Sequence, residues 1–582
     1  MYIEKINGPE DVKKLNIEEM TALAEEMRHA LLKRASIHGG HFGPNFGMVE
    51  AIIALHYVFE SPKDKMVFDV SHQTYPHKML TGRKDAYLYE EHYDDVTGYS
   101  CPQESEHDHF TVGHTSTSVS LACGLAKARD LRGESANVIA IIGDGSLSGG
   151  EALEGMDFAA ELDSNMIIVV NDNDMSIAEN HGGLYSNLKL LRETNGQAEC
   201  NLFKAMGLDY VYVDHGNDLR ELIGAFKQVK DSKKPVVVHI NTLKGKGYKP
   251  AEEHKEEWHW HLPFDIETGK SHFPEVEDYS SVTCEYLIEK MKQDPTVVAI
   301  TSGTPTILGF TQEKRKQAGR QFVDVGIAEE HAVTFAAGMA KSGLKPVFAV
   351  YSSFLQRAYD QVLHDVCIQN LPVVFAIDRA GLVGSDGETH QGIFDISYLS
   401  VIPNMTIMAP KNKWELSDMM KFAVAYDGPI ALRYPRGAAY DGLKEIRQPI
   451  ELAKSELIRK GSTVAIMALG SMVKTAVDVV KLLEAEGISA TLINARFAMP
   501  FDKEAIKELP AEHSLLVTME ENVQSGGFGE HVTEYVKTNG IALEVLTVAL
   551  PDCYVEHGNV EVLKNELHVD AESVAKRIIA AL

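Results

Sequence analysis

The sequence predicts an α/β protein with three domains, each built on a mainly parallel sheet. Short runs rich in β-branched apolar residues alternate with longer amphipathic stretches, a pattern typical of strands buried on both faces and connected by helices. The pattern restarts after Tyr279 and again near Gly461, and 582 residues are too many for one hydrophobic core. The predicted strands are residues 138–142, 166–170, 236–240, 296–300, 346–350, 373–377, 464–468 and 490–493.

The two restarts divide the chain into predicted domains at residues 1–278, 279–447 and 448–582. We expect the linkers in the acidic, histidine-bearing stretch 264–279 and in the stretch 443–457. Sequence patterns place such boundaries only to within several residues.

The composition excludes several classes of function. The net charge of −28, from 56 basic and 84 acidic side chains, would repel the phosphates of nucleic acid. The six cysteines lie far apart and form no C-x-x-C pair, so neither a disulfide framework nor a cysteine zinc site is expected. The start of the chain lacks the apolar core of a signal peptide, and no run approaches the roughly 18 apolar residues of a membrane span. We therefore expect a cytoplasmic protein that binds small molecules.

Polar residues follow two of the predicted strands where each strand ends. Gly143-Asp144-Gly145 follows the first strand, and Asn171-Asp172-Asn173 follows the second. One crossover helix between the strands makes them parallel, so Asp144 and Asn173 should emerge at the same sheet edge, where ligands of α/β sheets bind. Carboxylate and amide oxygens suit Mg²⁺, and glycines let backbone amides approach phosphates. The glycine spacing does not match G-x-G-x-x-G, which argues against a nicotinamide dinucleotide.

This pair of turns resembles the metal-diphosphate motif of thiamine-diphosphate enzymes, and further segments resemble the 1-deoxy-D-xylulose-5-phosphate synthase family nearly end to end. The resemblance implies a transketolase-like fold, thiamine diphosphate and Mg²⁺ as cofactors, and a homodimer. It implies a reaction in which pyruvate and D-glyceraldehyde 3-phosphate give 1-deoxy-D-xylulose 5-phosphate and carbon dioxide. It leaves open whether the product feeds isoprenoid, thiamine or pyridoxal synthesis. The segments that carry the resemblance are Gly39-Gly40-His41-Phe42-Gly43, His72-Gln73-Thr74-Tyr75-Pro76-His77-Lys78, Gly113-His114-Thr115-Ser116-Thr117-Ser118, Gly245-Lys246-Gly247-Tyr248, Ala328-Glu329-Glu330-His331, residues 351–360 and Asp378-Arg379-Ala380-Gly381.

The resemblance assigns cofactor contacts residue by residue. Glu329 would hydrogen-bond the pyrimidine ring of the cofactor, and Phe354 would stack on that ring. Both Glu329 and Glu330 open a predicted helix, where any carboxylate matches the helix dipole, so the choice of Glu329 rests on the family pattern. The implied metal ligands are Asp144, Asn173 and the backbone carbonyl of Met175, and the remaining cofactor contacts are His72, Gly113, His114, Thr115, Gly145, Ser146, Asn173 and Tyr248.

The resemblance also implies residues that handle the substrates. Imidazoles suit proton transfer near neutral pH, and forked arginine donors suit a phosphate. Taken singly, each histidine has a structural explanation and each arginine could form a surface ion pair. The implied residues are His41, His72, His259 and His390, with Tyr351, Arg357 and Asp386 along the path of the acceptor and Arg379 and Arg436 at its phosphate.

Three other interpretations compete with this one. The close spacing of His254, His259 and His261 could indicate zinc, but no H-E-x-x-H helix surrounds them. A transketolase-type or acyloin-forming relative would use the same cofactor with another donor or acceptor. A decayed homologue kept as a binding subunit should have lost costly polar residues such as Asp144 and Glu329, both of which are present.

One segment departs from the family pattern. Only 71 residues separate Asn173 from Gly245, fewer than the family usually has, and the missing part should follow Asn180. The sequence Asp214-His215-Gly216-Asn217 also differs from the family, which more often has glycine before histidine. If the missing part is a mobile lid, acceptor gating should be weaker here, because a lid can hold an intermediate until the acceptor arrives. A surface-loop deletion without consequence is the alternative.

Overall fold

A computed structural model describes residues 1–274 and 276–582, which form two compact units. The first unit comprises residues 1–274 and 326–328, and the second comprises residues 276–325 and 329–582. Within the described part of the chain, no helix has the length and apolar character needed to cross a membrane.

The first unit is built on a five-stranded, all-parallel sheet in the order β2-β3-β4-β6-β5. A separate antiparallel ladder pairs β1 with β7. The central strands β3 and β4 are almost completely buried, as expected for a parallel sheet covered on both faces. The strands are β1 Gly40–His41, β2 Lys65–Phe68, β3 Val138–Gly143, β4 Met166–Asp172, β5 Asp209–Val213, β6 Pro235–Asn241 and β7 Trp260–His261.

Helices of the first unit surround this sheet. Helix α2 begins with a capping box, in which Asn16 and Glu19 each accept a hydrogen bond from the other's backbone N–H. Helix α6 ends at Gly133, whose φ of 67° suits glycine. The helices are α1 Pro9–Val12, α2 Ile17–His38, α3 Gly43–Val58, α4 Tyr75–Leu80, α5 Asp85–Leu88, α6 Ser118–Arg132, α7 Gly150–Ala159, α8 Gly183–Glu193, α9 Leu202–Ala205, α10 Leu219–Val229 and α11 Lys249–Glu253.

The second unit contains two sheets. The seven-stranded sheet has the order β17-β12-β13-β11-β10-β8-β9, and the five-stranded sheet has the order β14-β16-β15-β18-β19. Each sheet is parallel except for one antiparallel edge strand, β17 in the first and β14 in the second. The strands are β8 Val297–Thr301, β9 Phe322–Asp324, β10 Lys345–Tyr351, β11 Val374–Asp378, β12 Thr406–Met408, β13 Ile430–Arg433, β14 Glu456–Arg459, β15 Val464–Ala468, β16 Ala490–Asn494, β17 Phe497–Met499, β18 Leu515–Val523 and β19 Glu544–Leu550.

Helices of the second unit pack on both of its sheets. Helix α18 begins after Asn412, whose side chain accepts a hydrogen bond from the N–H of Glu415 at 2.9 Å. The helices are α12 Tyr279–Gln293, α13 Gln312–Ala318, α14 Glu329–Lys341, α15 Ser352–Leu355, α16 Tyr359–Gln361, α17 Asp395–Ser400, α18 Lys413–Ala425, α19 Met472–Ala485, α20 Lys503–Glu508, α21 Phe528–Thr538, α22 Val560–Glu566 and α23 Ala571–Ala581.

The structure confirms the predicted α/β class and the eight predicted strands, each to within two residues at either end. Three mainly parallel sheets are present, as the three predicted domains require. The sequence did not predict β17, which follows β16 in the chain but joins the sheet that contains β12. This strand ties residues 448–582 to the preceding sheet, which explains why both belong to one compact unit.

A buried ion-pair network lies beside this junction in the second unit. Lys411 contacts Glu415 at 3.1 Å and Glu456 at 2.5 Å, and Arg496 contacts each of the same carboxylates at 2.8 Å. All four side chains are at most 2% exposed. Two positive and two negative charges balance, and each buried charge depends on the others for its compensation.

We expect Arg496→Met to lower the free energy of unfolding by about 3–5 kcal/mol, because it leaves buried carboxylates without full compensation. Thermal unfolding of the purified chain measures the effect. The control is Lys481→Met, which removes an exposed pair with Asp478 and should leave the midpoint unchanged. Equal midpoints for the two variants would show that the network contributes no net stability.

Candidate functional site

Two neighbouring strand ends of the first unit carry the predicted metal ligands. Strands β3 and β4 are parallel, with Gly143 opposite Asn171, so Asp144 and Asn173 both follow the carboxyl edge of the sheet. Asp144 is 1% exposed, and the side-chain oxygen of Asn173 is buried without a hydrogen-bond partner among the described residues. A buried carboxylate beside an unpaired amide oxygen fits the donor set that Mg²⁺ prefers.

The charges around this edge are unevenly compensated. Burial alone would raise the pKa of Asp172, but hydrogen bonds from His239 at 2.9 Å and from Arg192 at 2.6 Å lower it. Burial, and then the charge of Asp172, raise the pKa of Asp144 above its usual value. A cation at Asp144 would supply the missing positive charge, so the electrostatics also fit a metal ion.

The loop of residues 113–118, which contains three predicted cofactor contacts, is held by a residue that the sequence analysis missed. Asp69, at the end of β2, accepts hydrogen bonds from the N–H groups of Ser116 at 2.8 Å and Ser118 at 3.0 Å. The Ser116 hydroxyl in turn donates to the carbonyl of Ser146 at 2.8 Å. The loop that contains Gly113, His114 and Thr115 is therefore fixed to the loop that contains Gly145 and Ser146.

Three of the predicted active-site histidines lie together in the first unit. The ring centroids of His41, His72 and His259 are 5.0, 5.8 and 5.2 Å apart. The β1–β7 ladder brings His41 next to His259, and the amide of Asn45 donates to the carbonyls of His41 at 2.9 Å and His72 at 2.8 Å. Burial, and then the charge of Lys244, hold the pKa of His259 well below its usual value, which favours a neutral imidazole.

Lys244 is a second residue that the sequence analysis missed. Its side chain is 1% exposed and donates to the carbonyl of Ser176 at 2.6 Å. Burial lowers the pKa of Lys244 to about 7, although Asp144 opposes this change. It directly precedes the quoted motif 245–248, but a single lysine gives no signal in a sequence.

Two further predicted residues of the first unit have other neighbours. The hydroxyl of Tyr248 donates to the carbonyl of Ile266 at 3.0 Å, and its ring packs 5.0 Å from Trp258. His261, considered above for zinc, stacks on Trp258 at 4.2 Å. Neither belongs to the cluster of three histidines.

The second unit buries the carboxylate that was assigned to the pyrimidine ring. Glu329 begins α14 and is 3% exposed, whereas Glu330 is only partly buried, so burial supports the choice of Glu329. Arg357 lies 3.5 Å from its Oε2 atom, which has no hydrogen bond within residues 1–274 and 276–582. Burial raises the pKa of Glu329 to about 7, against the opposing charge of Arg357.

The predicted acceptor residues of the second unit form one group. The ring of Phe354 lies 4.8 Å from that of Tyr351 and 5.4 Å from that of His390. The guanidinium of Arg379 lies 4.2 Å from the Tyr351 ring centroid and 3.1 Å from Asp378. Arg436 contacts Asp386 at 3.2 Å. Both charges lie near Tyr351. Burial raises the pKa of its hydroxyl, and the two charges act on this pKa as well.

Comparison with protein families first defines the class of the chain. Residues 277–440 match the family model described as transketolase, pyrimidine binding domain, and residues 453–574 match that described as transketolase, C-terminal domain. The fold is therefore the predicted transketolase-like one, and the chain is a thiamine-diphosphate-dependent transferase. Residues 3–201 and 190–242 match the family model described as 1-deoxy-D-xylulose-5-phosphate synthase.

Curated relatives identify the family. A 1-deoxy-D-xylulose-5-phosphate synthase of Lachnoclostridium phytofermentans is 45% identical over 99% of this chain and 98% of its own length. The corresponding protein of Geobacter sulfurreducens is 44% identical over 98% and 96%. The chain therefore belongs to the 1-deoxy-D-xylulose-5-phosphate synthase family.

Solved structures similar to the chain are transketolases. A split-gene transketolase, described as an inactive β4 tetramer, is 26% identical and covers 52% of this chain and 98% of its own, with a TM-score of 0.48. The transketolase of Campylobacter jejuni is 17% identical and covers 97% and 100%, with a TM-score of 0.45.

Burial of Glu329 predicts a pH-dependent cost in the cofactor-free protein. The pKa of Glu329 is about 7 in the folded protein, above its usual 4.5. The folded state therefore keeps its full stability below pH 4.5 and loses part of it as the pH rises from 4.5 through 7. Glu329→Gln removes this loss, so its advantage in thermal midpoint over the native chain should be larger at pH 8 than at pH 5. A difference that stays constant with pH would contradict the burial argument.

Proposed function

We propose that this chain condenses pyruvate with D-glyceraldehyde 3-phosphate, releasing carbon dioxide and forming 1-deoxy-D-xylulose 5-phosphate. The observation that carries the proposal is the 45% identity to a named synthase along nearly the whole of both chains. The buried acids Asp144 and Glu329 would serve the cofactor and its metal ion. The histidine cluster would serve proton transfer, and Arg379 and Arg436 would bind the acceptor phosphate.

Mg²⁺ would be held by Asp144, Asn173 and the backbone carbonyl of Met175. Support comes from the buried carboxylate of Asp144 and from the unpaired oxygen of Asn173. The diphosphate would lie against the loops that contain Gly113–Thr115 and Gly145–Ser146, with His72, Asn173 and Tyr248 as further contacts. Thiamine diphosphate, when bound, supplies the carbanion that takes up pyruvate and lets carbon dioxide leave.

Glu329 would share its proton with the pyrimidine ring nitrogen, and Phe354 would pack against that ring. A carboxyl group with a raised pKa retains a proton near neutral pH, as this hydrogen bond requires. Its Oε2 atom already lacks a hydrogen bond in the part of the chain that the structure describes. The positive charge of Arg357, 3.5 Å away, favours the ionised form of Glu329 and would therefore oppose its retention of the proton.

The histidines and the acceptor group would handle the two substrates. His41, His72 and His259 would hold or donate protons at the substrate oxygens, and neutral His259 can accept one. His390, Tyr351 and Asp386 would line the path of the aldehyde. Arg379 and Arg436 would bind its phosphate by forked hydrogen bonds.

We further propose that residues 1–278, 279–447 and 448–582 act as diphosphate-binding, pyrimidine-binding and C-terminal domains of a cytoplasmic homodimer. The matched ranges of the two transketolase family models, 277–440 and 453–574, support the two later domains. The absence of a disulfide framework, with all six cysteines free, is compatible with a reducing compartment.

The experiment that tests the function is product identification by mass spectrometry. The purified chain is incubated with thiamine diphosphate, Mg²⁺, pyruvate and D-glyceraldehyde 3-phosphate, and carbon dioxide is measured in parallel. A ketose phosphate replaces pyruvate in the second arm. Formation of 1-deoxy-D-xylulose 5-phosphate supports the proposal, whereas product from the ketose donor alone would indicate a transketolase.

The two arginines should act on the acceptor phosphate. We expect Arg379→Ala and Arg436→Ala to raise the KM for D-glyceraldehyde 3-phosphate at least tenfold, about 1.4 kcal/mol, while the KM for pyruvate changes little. The control substrate is unphosphorylated glyceraldehyde, which should respond weakly to both substitutions because it lacks the group that the arginines bind. Equal losses with both aldehydes would exclude the phosphate role.

We also propose that acceptor gating is weakened by the shortened segment 174–244. The alignment with the Lachnoclostridium protein needs 614 positions although this chain has 582 residues, and the synthase family model matches in two pieces that overlap at residues 190–201. The first fact supports a deletion somewhere in the chain, and the second supports a break near residues 190–201, which lie inside this segment. Without a long lid, the complex with pyruvate has less structure to hold it until the aldehyde arrives.

Weak gating predicts that carbon dioxide leaves the bound pyruvate at an appreciable rate without aldehyde. Rapid-quench sampling of the pyruvate complex, with and without D-glyceraldehyde 3-phosphate, measures that rate. The comparison is the Lachnoclostridium relative under the same conditions. A pyruvate complex that persists until aldehyde is added would show that gating survives the deletion.

A further inference from the structure

Asn180 lies in the irregular connection between β4 and α8, close to the proposed metal ligands. Its amide nitrogen Nδ2 donates a hydrogen bond to Oδ2 of Asp144 at 2.7 Å. Its amide oxygen Oδ1 is buried and accepts no hydrogen bond from any residue in the described ranges 1–274 and 276–582. The nitrogen of this amide is therefore engaged in a hydrogen bond, and its oxygen can still accept one.

The orientation of this amide is set by its contact with Asp144. The amide nitrogen is the donor and faces the acceptor Oδ2 of Asp144, so the amide oxygen points away from that contact. The unused oxygen is a consequence of this arrangement.

A second buried acceptor with the same deficit follows the neighbouring strand. Oδ1 of Asn173 also has no hydrogen-bond partner in the part of the chain that is described. Buried polar groups are nearly always paired, so these two unpaired amide oxygens indicate a missing group that is positively charged or can donate hydrogen bonds. One oxygen belongs to the residue that contacts Asp144, and the other follows the strand adjacent to β3. A hydrated cation carries a positive charge, and its water molecules can donate hydrogen bonds.

We propose that Asn180 is a positioning residue of the metal site. Its N–H group holds the Asp144 carboxylate so that the other carboxylate oxygen can face the cation, and its oxygen accepts a hydrogen bond from a water molecule on that cation. Dehydration of Mg²⁺ is costly, so the ion usually retains several coordinated water molecules when few protein oxygens bind it. This inference rests on the proposed function, because it assumes that the site binds Mg²⁺ with thiamine diphosphate.

The connection that carries Asn180 is anchored without it. Lys244 donates to the Ser176 carbonyl at 2.6 Å, and the Tyr185 hydroxyl donates to the Gly145 carbonyl at 3.2 Å. Arg192, near the end of α8, contacts Asp172 and Asp174 at 2.6 Å each. Loss of the Asn180 side chain should therefore change the metal site and leave the path of the segment in place.

Asn187 on α8 provides a matched control. Its amide donates to the Cys200 carbonyl at 2.9 Å and accepts from the Leu202 N–H at 3.1 Å, so both ends are used in structural hydrogen bonds. Asn187→Ala removes an amide from the same segment without touching Asp144. A purely structural role for Asn180 would make the two alanine variants behave alike.

The test measures the Mg²⁺ concentration needed for half-maximal thiamine diphosphate binding, by calorimetric titration of the full chain. Asn180→Ala should raise this concentration about tenfold or more, as is usual when an outer partner of a metal ligand is removed. Its thermal midpoint without cation should change little. Asn187→Ala should lower the midpoint and leave the Mg²⁺ requirement unchanged.

Asn180→Asp keeps an acceptor but adds a negative charge, so Mg²⁺ should raise its thermal midpoint by more than it raises that of the native chain. An unaltered Mg²⁺ requirement in Asn180→Ala, or an equal increase in Asn187→Ala, would overturn the inference. If the native chain bound no Mg²⁺ with thiamine diphosphate, the proposed function itself would fail. The titration uses neither substrate, so the two failures are distinguishable.

Discussion

The buried carboxyl group of Asp144 is the constraint on which the arrangement of the first unit's site depends. This carboxylate lies at the carboxyl edge of an all-parallel sheet and is 1% exposed. Its neighbour Asp172 already accepts hydrogen bonds from Arg192 and His239, so the positive charge of Arg192 is engaged elsewhere. Around Asp144 the chain supplies an amide donor from Asn180 instead of a basic side chain in contact. This arrangement fits the cation proposed above, because no basic side chain of the described residues contacts the carboxyl group and a bound cation would supply the missing positive charge.

The second unit also buries a carboxyl group, that of Glu329, whose raised pKa favours the protonated form. Glu329 is also buried, but its nearest positive charge, Arg357, stands 3.5 Å away and forms no close hydrogen bond to the Oε2 atom. The carboxyl group can escape the cost of burial by holding a proton, which is what its raised pKa describes. Burial raises the pKa of Asp144 as well, so the two acids differ in their neighbours and not in this tendency. Asp144 accepts a hydrogen bond from the Asn180 amide, whereas Glu329 has only the more distant Arg357 beside its Oε2 atom.

The sequence predicted those parts of the fold that are encoded locally. Buried strands such as β3 and β4 are visible as continuous apolar runs, and the polar turns after them predict a metal site at this edge of the sheet. The contacts that complete the site were not predictable, because they join residues far apart in the chain. Asp69 binds the loop at Ser116, Asn45 binds the carbonyl of His72, and neither gives a local pattern. The three-residue strand β17 was missed for the same reason, since its sheet is chosen by tertiary packing.

Several site residues of both units lie at or just after strand ends, and for these residues the sheet register is decisive. In the second unit, Tyr351 ends β10 opposite Asp378 at the end of β11, and Arg379 follows directly. The guanidinium of Arg379 packs on the Tyr351 ring because the register places them side by side. A change of one residue in register would turn these side chains to the opposite face of the sheet. The apolar interiors of the strands therefore serve the chemistry indirectly, because their packing fixes the register that aligns the polar ends.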